Sequence, residues 1–129
     1  MTIQEPTTVG LSKEAHEELK LLKENGHFAE LQDAYRFAIS LAIARGVDPL
    51  ATSVGSGKAT IFNIGTLDGD QSIKLAISSI YSDQCKEEPV YKIAERLAEW
   101  GVNELAVEAS RGEINFIKLL EQTEEQLKG

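Results

Sequence analysis

The sequence predicts a mainly α-helical fold of one domain, and three observations support this prediction. Apolar residues recur at helical spacing through most of the 129 residues, so successive segments each have one apolar face. Residues that begin and end helices, such as Ser12 and the pair Asn25-Gly26, separate these segments. Only two short stretches, TTVGL and ATIFNI, have extended character. We therefore expect one compact helical domain over residues 1–129, with a short N-terminal extended segment and one short central strand.

The first helix is predicted to begin after Leu11. Ser12 is the expected N-cap, because its hydroxyl can accept a hydrogen bond from the free N–H groups of the first turn. The helix should end at Asn25-Gly26, since glycine adopts the left-handed conformation that follows a helix without strain. The predicted apolar face consists of Leu11, Ala15, Leu19 and Leu22. The extended lead-in TTVGL can pair only with another chain or with a distant strand.

The second helix, roughly Ala29 to Arg45, is apolar around almost its whole circumference. Within AYRFAISLAIA only Arg36 and Ser40 are strongly polar, and with Gln32 they form one stripe at i, i+4 and i+8. Such a helix is buried on nearly every side, so it is a central core helix, a subunit interface, or both. The residues predicted to lie in this core or interface are Tyr35, Phe37, Leu41 and Ile43.

The next segments contain a short strand and a third helix. The strand is expected at about Ala59 to Ile64, and the residues from Gly65 to Gly69 are expected to form a turn. A third amphipathic helix is predicted from Asp70 to Tyr81. Its inward residues are predicted to be Ile73, Ala76, Ile77 and Ile80.

Three further helices are predicted toward the C-terminus. The first begins at Pro89, which suits the N1 position of a helix, and ends at Trp100-Gly101. Asn103 is expected to cap a short helix through Ala109, and a last helix is expected from Glu113 to Leu127. The inward residues are predicted to be Val90, Ile93, Ala94 and Leu97 in the first of these helices and Ile114, Ile117 and Leu120 in the last.

Composition narrows the possible functions. The net charge of −8 argues against a broad electrostatic interaction with nucleic acid, so any such contact must be a local patch. One cysteine, Cys85, and two histidines, His16 and His27, make an internal disulfide impossible and a multi-ligand metal site unexpected. The start MTIQEPTTVG lacks a signal-peptide pattern, and no apolar run is long enough to span a bilayer. A cytoplasmic location is expected.

The run SVGSGKAT at residues 53–60 partly matches a phosphate-binding loop. That loop requires a glycine five residues before Gly57 and a hydroxyl residue after Lys58, but Thr52 and Ala59 occupy these positions. A β-prone run also follows, where a helix should begin. We interpret the run as a Gly/Ser connector, and the alternative, a nucleotide site at Ser56, Gly57 and Lys58, predicts nucleotide affinity that is lost in Lys58→Ala.

Two stretches resemble a known family. The segment LSKEAHEELKLLKENGHFAELQDAYRFAISLAIARG is similar to ribbon-helix-helix proteins in general, and more closely resembles the small E subunit of the bacterial Dnd system of DNA sulfur modification, which adds phosphorothioates to DNA. The second stretch is IFNIGTLDGDQSIKLAISSIYSDQC. Its matching positions are Phe62, Asn63, Thr66, Leu67, Gly69 and Cys85. The resemblance covers about residues 9–86, and the helices of residues 87–129 look like an addition to this DndE-like core.

The resemblance implies a mostly helical fold that assembles into a tetramer and associates with DNA, including nicked duplex, without enzymatic activity or a cofactor. In that family lysines on the first helix face DNA. The matching positions here are Lys13, Lys20 and Lys23, with Arg36 as a further candidate from the second helix. These lysines lie among Glu14, Glu17, Glu18 and Glu24, which give ion-pair partners at i+3 and i+4 spacing such as Glu17 with Lys20, so an ordinary solvated helix face is the alternative.

Two functions from different classes remain open. The first is a non-enzymatic, homo-oligomeric accessory subunit of a DNA-modification or phage-defence system, whose partners are other subunits of the complex and DNA. The second is an acidic helical adaptor or antitoxin-like protein that binds proteins and never touches DNA. The salt dependence of DNA binding distinguishes them, because each neutralised phosphate contributes about −0.9 to the slope of log K against log salt.

Overall fold

The computed structural model describes residues 6–52 and 58–112. The strands are β1 (Thr8–Ser12) and β2 (Lys58–Asn63), and the helices are α1 (Lys13–Glu24), α2 (Leu31–Ala44), α3 (Ile64–Leu67), α4 (Ser72–Ile80) and α5 (Val90–Ser110). Short 3-10 turns lie at Pro49–Ala51 and Gln84–Lys86. The predicted mainly helical fold with a short extended component is confirmed. None of the helices within these two ranges is long and apolar enough to cross a bilayer.

The two strands form an antiparallel pair. Their register runs from Thr8 opposite Asn63 to Ser12 opposite Lys58, with an irregularity between Val9 and Gly10. Every residue of β1 after Thr8 is buried. The N-terminal extended segment therefore pairs with a distant strand of the same chain, which is one of the two alternatives that its sequence allowed.

Helix α1 matches its prediction closely. The Ser12 hydroxyl accepts a hydrogen bond from the backbone N–H of Ala15 at 3.2 Å and so caps the first turn. The helix ends before Asn25, and Gly26 has a φ of +81°, which favours glycine. The predicted apolar face, Leu11, Ala15, Leu19 and Leu22, is buried.

Helix α5 is the element against which α1, α2, α4 and β1 all pack. Ile93, Leu97, Val102 and Leu105 in this helix have no solvent exposure. Burial of each such side chain contributes about 1.5–3 kcal/mol to folding. The residues after 87 therefore supply the centre of the core.

The prediction that a helix ends at Trp100-Gly101 is wrong, because α5 runs without a break from Val90 to Ser110. A Cβ atom at Gly101 would overlap the backbone carbonyl of Ala38 in α2. The glycine thus permits two helix backbones to approach closely, and it does not terminate a helix. Asn103 lies exposed within α5 and caps no helix.

Two predictions around β2 and α4 also need correction. The expected turn from Gly65 to Gly69 begins with the single-turn helix α3, in which the Asn63 side chain accepts a hydrogen bond from Gly65 N at 2.8 Å. Ile80 is 57% exposed and does not face the core. Because α4 ends at Ile80, the next residue, Tyr81, takes the buried position and donates a hydrogen bond to the Val47 carbonyl.

Two predicted segments lie outside the described residues. They are the last helix, Glu113 to Leu127, and most of the Gly/Ser connector, including Ser56 and Gly57. Lys58 is the first residue of β2, where the phosphate-loop alternative requires the start of a helix.

Candidate nucleic-acid interface on the first helix

The three lysines predicted to contact DNA share one side of α1. Lys13, Lys20 and Lys23 are spaced i, i+7 and i+10, which places them within a narrow arc at 100° per residue. Lys13 and Lys23 are exposed and Lys20 is half-exposed, whereas an adjoining side of the helix, with Ala15, Leu19 and Leu22, is buried in the core. The buried face fixes the orientation of the lysine side, so all three ammonium groups can meet one extended anionic ligand.

Carboxylates already accompany two of these lysines. Lys20 Nζ lies 3.1 Å from Glu17, and Lys23 Nζ lies 3.7 Å from Glu30 at the start of α2. Both pairs are exposed, and such pairs contribute about 0–1 kcal/mol because water and salt screen them. A phosphate group can therefore replace these carboxylates at small cost, but the carboxylates also reduce the local positive potential.

Arg36 has a different environment from the lysines. Its Nε donates a hydrogen bond to the Leu67 carbonyl at 2.8 Å, and Nη2 donates to the Thr66 carbonyl at 3.3 Å. Nη1 lies 3.8 Å from the Asp33 carboxylate. These contacts hold α3 against α2. The guanidinium thus serves the packing of the fold, and the lysine face of α1 is the part of the predicted site that remains directed at solvent.

The residues predicted to form a core or interface on α2 divide into two groups. Tyr35 and Leu41 are buried within the chain, and the Tyr35 hydroxyl donates a hydrogen bond to the Gly10 carbonyl at 3.0 Å. Burial, together with nearby Glu95 and Glu99, raises the pKa of Tyr35 well above its ordinary value. Phe37 and Ile43 are only half-buried at the edge of the core. The Phe37 ring packs against Phe28 of the same chain, with ring centres 5.8 Å apart.

Two carboxylates of α5 hold the edge of β1, and sequence reasoning missed them: Glu99 is buried and Glu95 is partly buried. Glu95 accepts a hydrogen bond from Gly10 N at 2.8 Å, and Glu99 accepts from Ser12 N at 3.0 Å and from Ser12 Oγ at 2.6 Å. Their i, i+4 spacing beside an apolar helix face was the available signal. The carboxylates satisfy strand N–H groups that would otherwise be buried without a partner.

Asp68, which is a buried hydrogen-bond acceptor at the start of α4, was also not identified from the sequence. It is 3% exposed, and its carboxylate accepts hydrogen bonds from Ile73 N at 2.9 Å, Lys74 N at 3.0 Å and Tyr91 Oη at 2.8 Å. Gln71, the residue before α4, makes no side-chain cap. Asp68 therefore satisfies the free N–H groups of α4 and joins that helix to α5.

The residues that carry the family resemblance lie around the junction of β2, α3 and α2. The Phe62 ring packs edge-on against Tyr35 with ring centres 5.1 Å apart. Asn63 caps α3, and the carbonyls of Thr66 and Leu67 receive Arg36. Phe62, Asn63, Thr66 and Leu67 thus each have a structural role in joining β2, α3 and α2.

Comparison of the chain with protein-family models, with curated proteins and with solved structures gives no significant match.

Proposed function

We propose that the chain is a non-enzymatic accessory subunit, of the DndE-like kind, in a bacterial system of DNA modification or phage defence. It acts as a homo-oligomer that binds other subunits of the complex and contacts duplex or nicked DNA. The support for the family comes from the two sequence stretches described above. The observation that carries the DNA contact is the common orientation of Lys13, Lys20 and Lys23 on the solvent side of α1.

The buried position of β1 argues against base reading by this strand. Val9 and Leu11 are almost fully buried, and the strand lies between β2 and the glutamates of α5. Strand β1 is therefore not free to enter a groove of DNA and contact the bases there. DNA contact therefore occurs through phosphates at the lysine face and is independent of base sequence.

A salt titration of binding to intact and nicked duplex tests this proposal. We expect log K to fall linearly with log salt, with a slope of about −2 to −3 per subunit, because each of three lysines neutralises about one phosphate. The triple variant Lys13→Gln, Lys20→Gln, Lys23→Gln should lose nearly all of this slope. Lys86→Gln is the matched control, because Lys86 has a comparable i, i+3 ion pair with Asp83 in a different part of the surface.

A flat salt dependence for the unmodified chain, or a slope that the triple variant leaves unchanged, would contradict DNA contact through α1. That result would favour the second candidate, an acidic adaptor or antitoxin-like protein that binds only proteins. The observation in its favour is the pairing of Lys20 with Glu17 and of Lys23 with Glu30, in a chain whose net charge is −8.

A further inference from the structure

A shallow pocket lies between the 3-10 turn at Pro49–Ala51 and the middle of α5. Its volume is about 450 Å³, and it opens to solvent. The residues that line this pocket, called here the Trp100 pocket, are Val47, Asp48, Ala51, Thr52, Trp100 and Asn103. Helix α5 thus supplies an indole and an amide, and the turn side supplies a carboxylate and a hydroxyl. The lysine face of α1 takes no part in it.

Trp100 is the aromatic group of the pocket and the only tryptophan of the chain. It is half-buried at the edge of the core, and its indole N–H has no hydrogen-bond partner among residues 6–52 and 58–112. Asn103 follows it by three residues on α5, so the indole and the amide share one side of the helix. An indole ring attracts cations, because its faces carry partial negative charge.

Asp48 brings a carboxylate to the same pocket, and the turn holds it in place. Its Oδ1 accepts a hydrogen bond from Leu50 N at 3.0 Å, and its carbonyl accepts one from Thr52 Oγ1 at 3.0 Å. No lysine or arginine in the described part of the chain pairs with this carboxylate. A carboxylate can accept about four hydrogen bonds, so Asp48 retains capacity for a cation in the pocket.

We propose that the Trp100 pocket binds an arginine side chain of a partner protein. A guanidinium group is planar, so it can stack on the indole while it donates two hydrogen bonds to the Asp48 carboxylate and one to the Asn103 amide oxygen. A lysine can meet the carboxylate as a point charge but offers no plane to stack and no paired donors. The net charge of −8 also favours the approach of a basic partner.

The shape of the site favours an arginine within a protein over the free amino acid. The pocket is open on one side and so encloses one side chain rather than a whole molecule. Leu50, in the same turn, is 41% exposed and offers apolar contact to the residues that flank the arginine. This inference depends on neither of the two candidate functions.

A titration of the full chain with N-acetyl-arginine methylamide tests the proposal. The indole N–H signal of Trp100 in NMR reports on the pocket, and a chain with one tryptophan gives one such signal. We expect a saturable shift with a dissociation constant on the order of millimolar, because a single side chain makes few contacts. The citrulline analogue of the same compound has the same shape without the charge, and it should bind about tenfold more weakly or not at all.

The variant Asp48→Asn isolates the charge of the carboxylate. Its amide oxygen can still accept the hydrogen bond of Leu50 N, so the turn is retained. We expect affinity for the arginine compound to fall about tenfold. Asp83→Asn is the matched control, because it removes the same charge at an exposed position that pairs with Lys86, and it should leave the affinity unchanged.

Three results would overturn the proposal: no saturable shift, equal binding of the citrulline analogue, or an Asp48→Asn variant that binds as well as the unmodified chain. Tighter binding of free arginine than of the blocked compound would also overturn it, because the occupant would then be an amino acid. None of these measurements involves DNA or α1, so failure here and failure of the proposed function are distinguishable.

Discussion

At the scale of single residues, the fold depends on groups whose neighbours lie far away in sequence. Glu99 contacts Ser12, and Asp68 contacts Tyr91. Carboxylates are ordinarily exposed, and one sequence does not show which of them meets a buried N–H group. The Ser12 cap, by contrast, was predictable, because its partner is only three residues away. The local hydrogen bond of Ser12 could therefore be predicted from the sequence, whereas the long-range hydrogen bonds of Glu99 and Asp68 could not.

Gly101→Ala tests the close approach of α5 to α2. The added Cβ would overlap the Ala38 carbonyl, and the backbone atoms it meets cannot rotate away. We expect a loss of about 3 kcal/mol or more in the free energy of unfolding, although alanine is the better helix former. Denaturant titration measures this loss. Asn103→Ala, at an exposed position of the same helix, should change stability by less than about 0.5 kcal/mol.

The Glu88–Arg96 pair makes stability depend on pH. Arg96 donates to the Glu88 carboxylate with Nε at 2.9 Å and Nη2 at 2.6 Å, and these hydrogen bonds lower the pKa of Glu88 below its ordinary value of 4.5. Because the pKa of the folded state is the lower one, the stabilisation is complete above pH 4.5 and is lost as pH falls through the folded-state pKa.

Glu88→Gln should therefore be less stable than the unmodified chain near neutral pH, by about 1 kcal/mol for this half-buried pair, which water still reaches. The two proteins should converge in stability at acidic pH. Denaturant titrations from neutral to acidic pH measure this difference, and Glu87→Gln, at an exposed neighbouring position, is the control. A difference that stayed constant across this range would show that Glu88 is not stabilised as a carboxylate.

At the scale of elements, apolar periodicity predicted which faces are buried but not where helices end. The inward residues of α1 and the start of α5 are buried as expected. The sequence Trp100-Gly101 has the form of a helix end, and only the neighbouring backbone of Ala38 reveals its different role. Likewise Ile80 belongs to the apolar pattern of α4, but this short helix ends there and Tyr81 occupies the core.

Leu41→Asp tests whether α2 is the apolar centre that its sequence indicates. Leu41 is 5% exposed, so a carboxylate there would be buried without a cation and should cost about 4 kcal/mol or more. Phe37→Asp should cost less, because Phe37 is only half-buried. Ser40→Asp, exposed on the same helix, is the control. If Leu41→Asp melted at the same temperature as the unmodified chain, the central role of α2 would be wrong.

At the scale of the whole molecule, the contacts that form the core and the exposed lysines lie on different sides of α1. Helix α5 and the strand pair hold the core together, and α1 is fixed to them with its lysines outward. The spacing of the three lysines could be predicted from the sequence. The ion pair of Lys23 with Glu30 could not, because a turn separates the two residues. A net charge of −8 means that any phosphate contact must be a local patch.

The measurement that tests the proposed function most directly is light scattering of the full chain, alone and with nicked duplex DNA at low salt. We expect a mass of several chains for the protein alone, and a larger mass, at a fixed ratio of protein to DNA, for the mixture. The larger mass should disappear as salt is added. A single-chain mass that DNA leaves unchanged would contradict the account of this protein as an oligomeric subunit that contacts DNA.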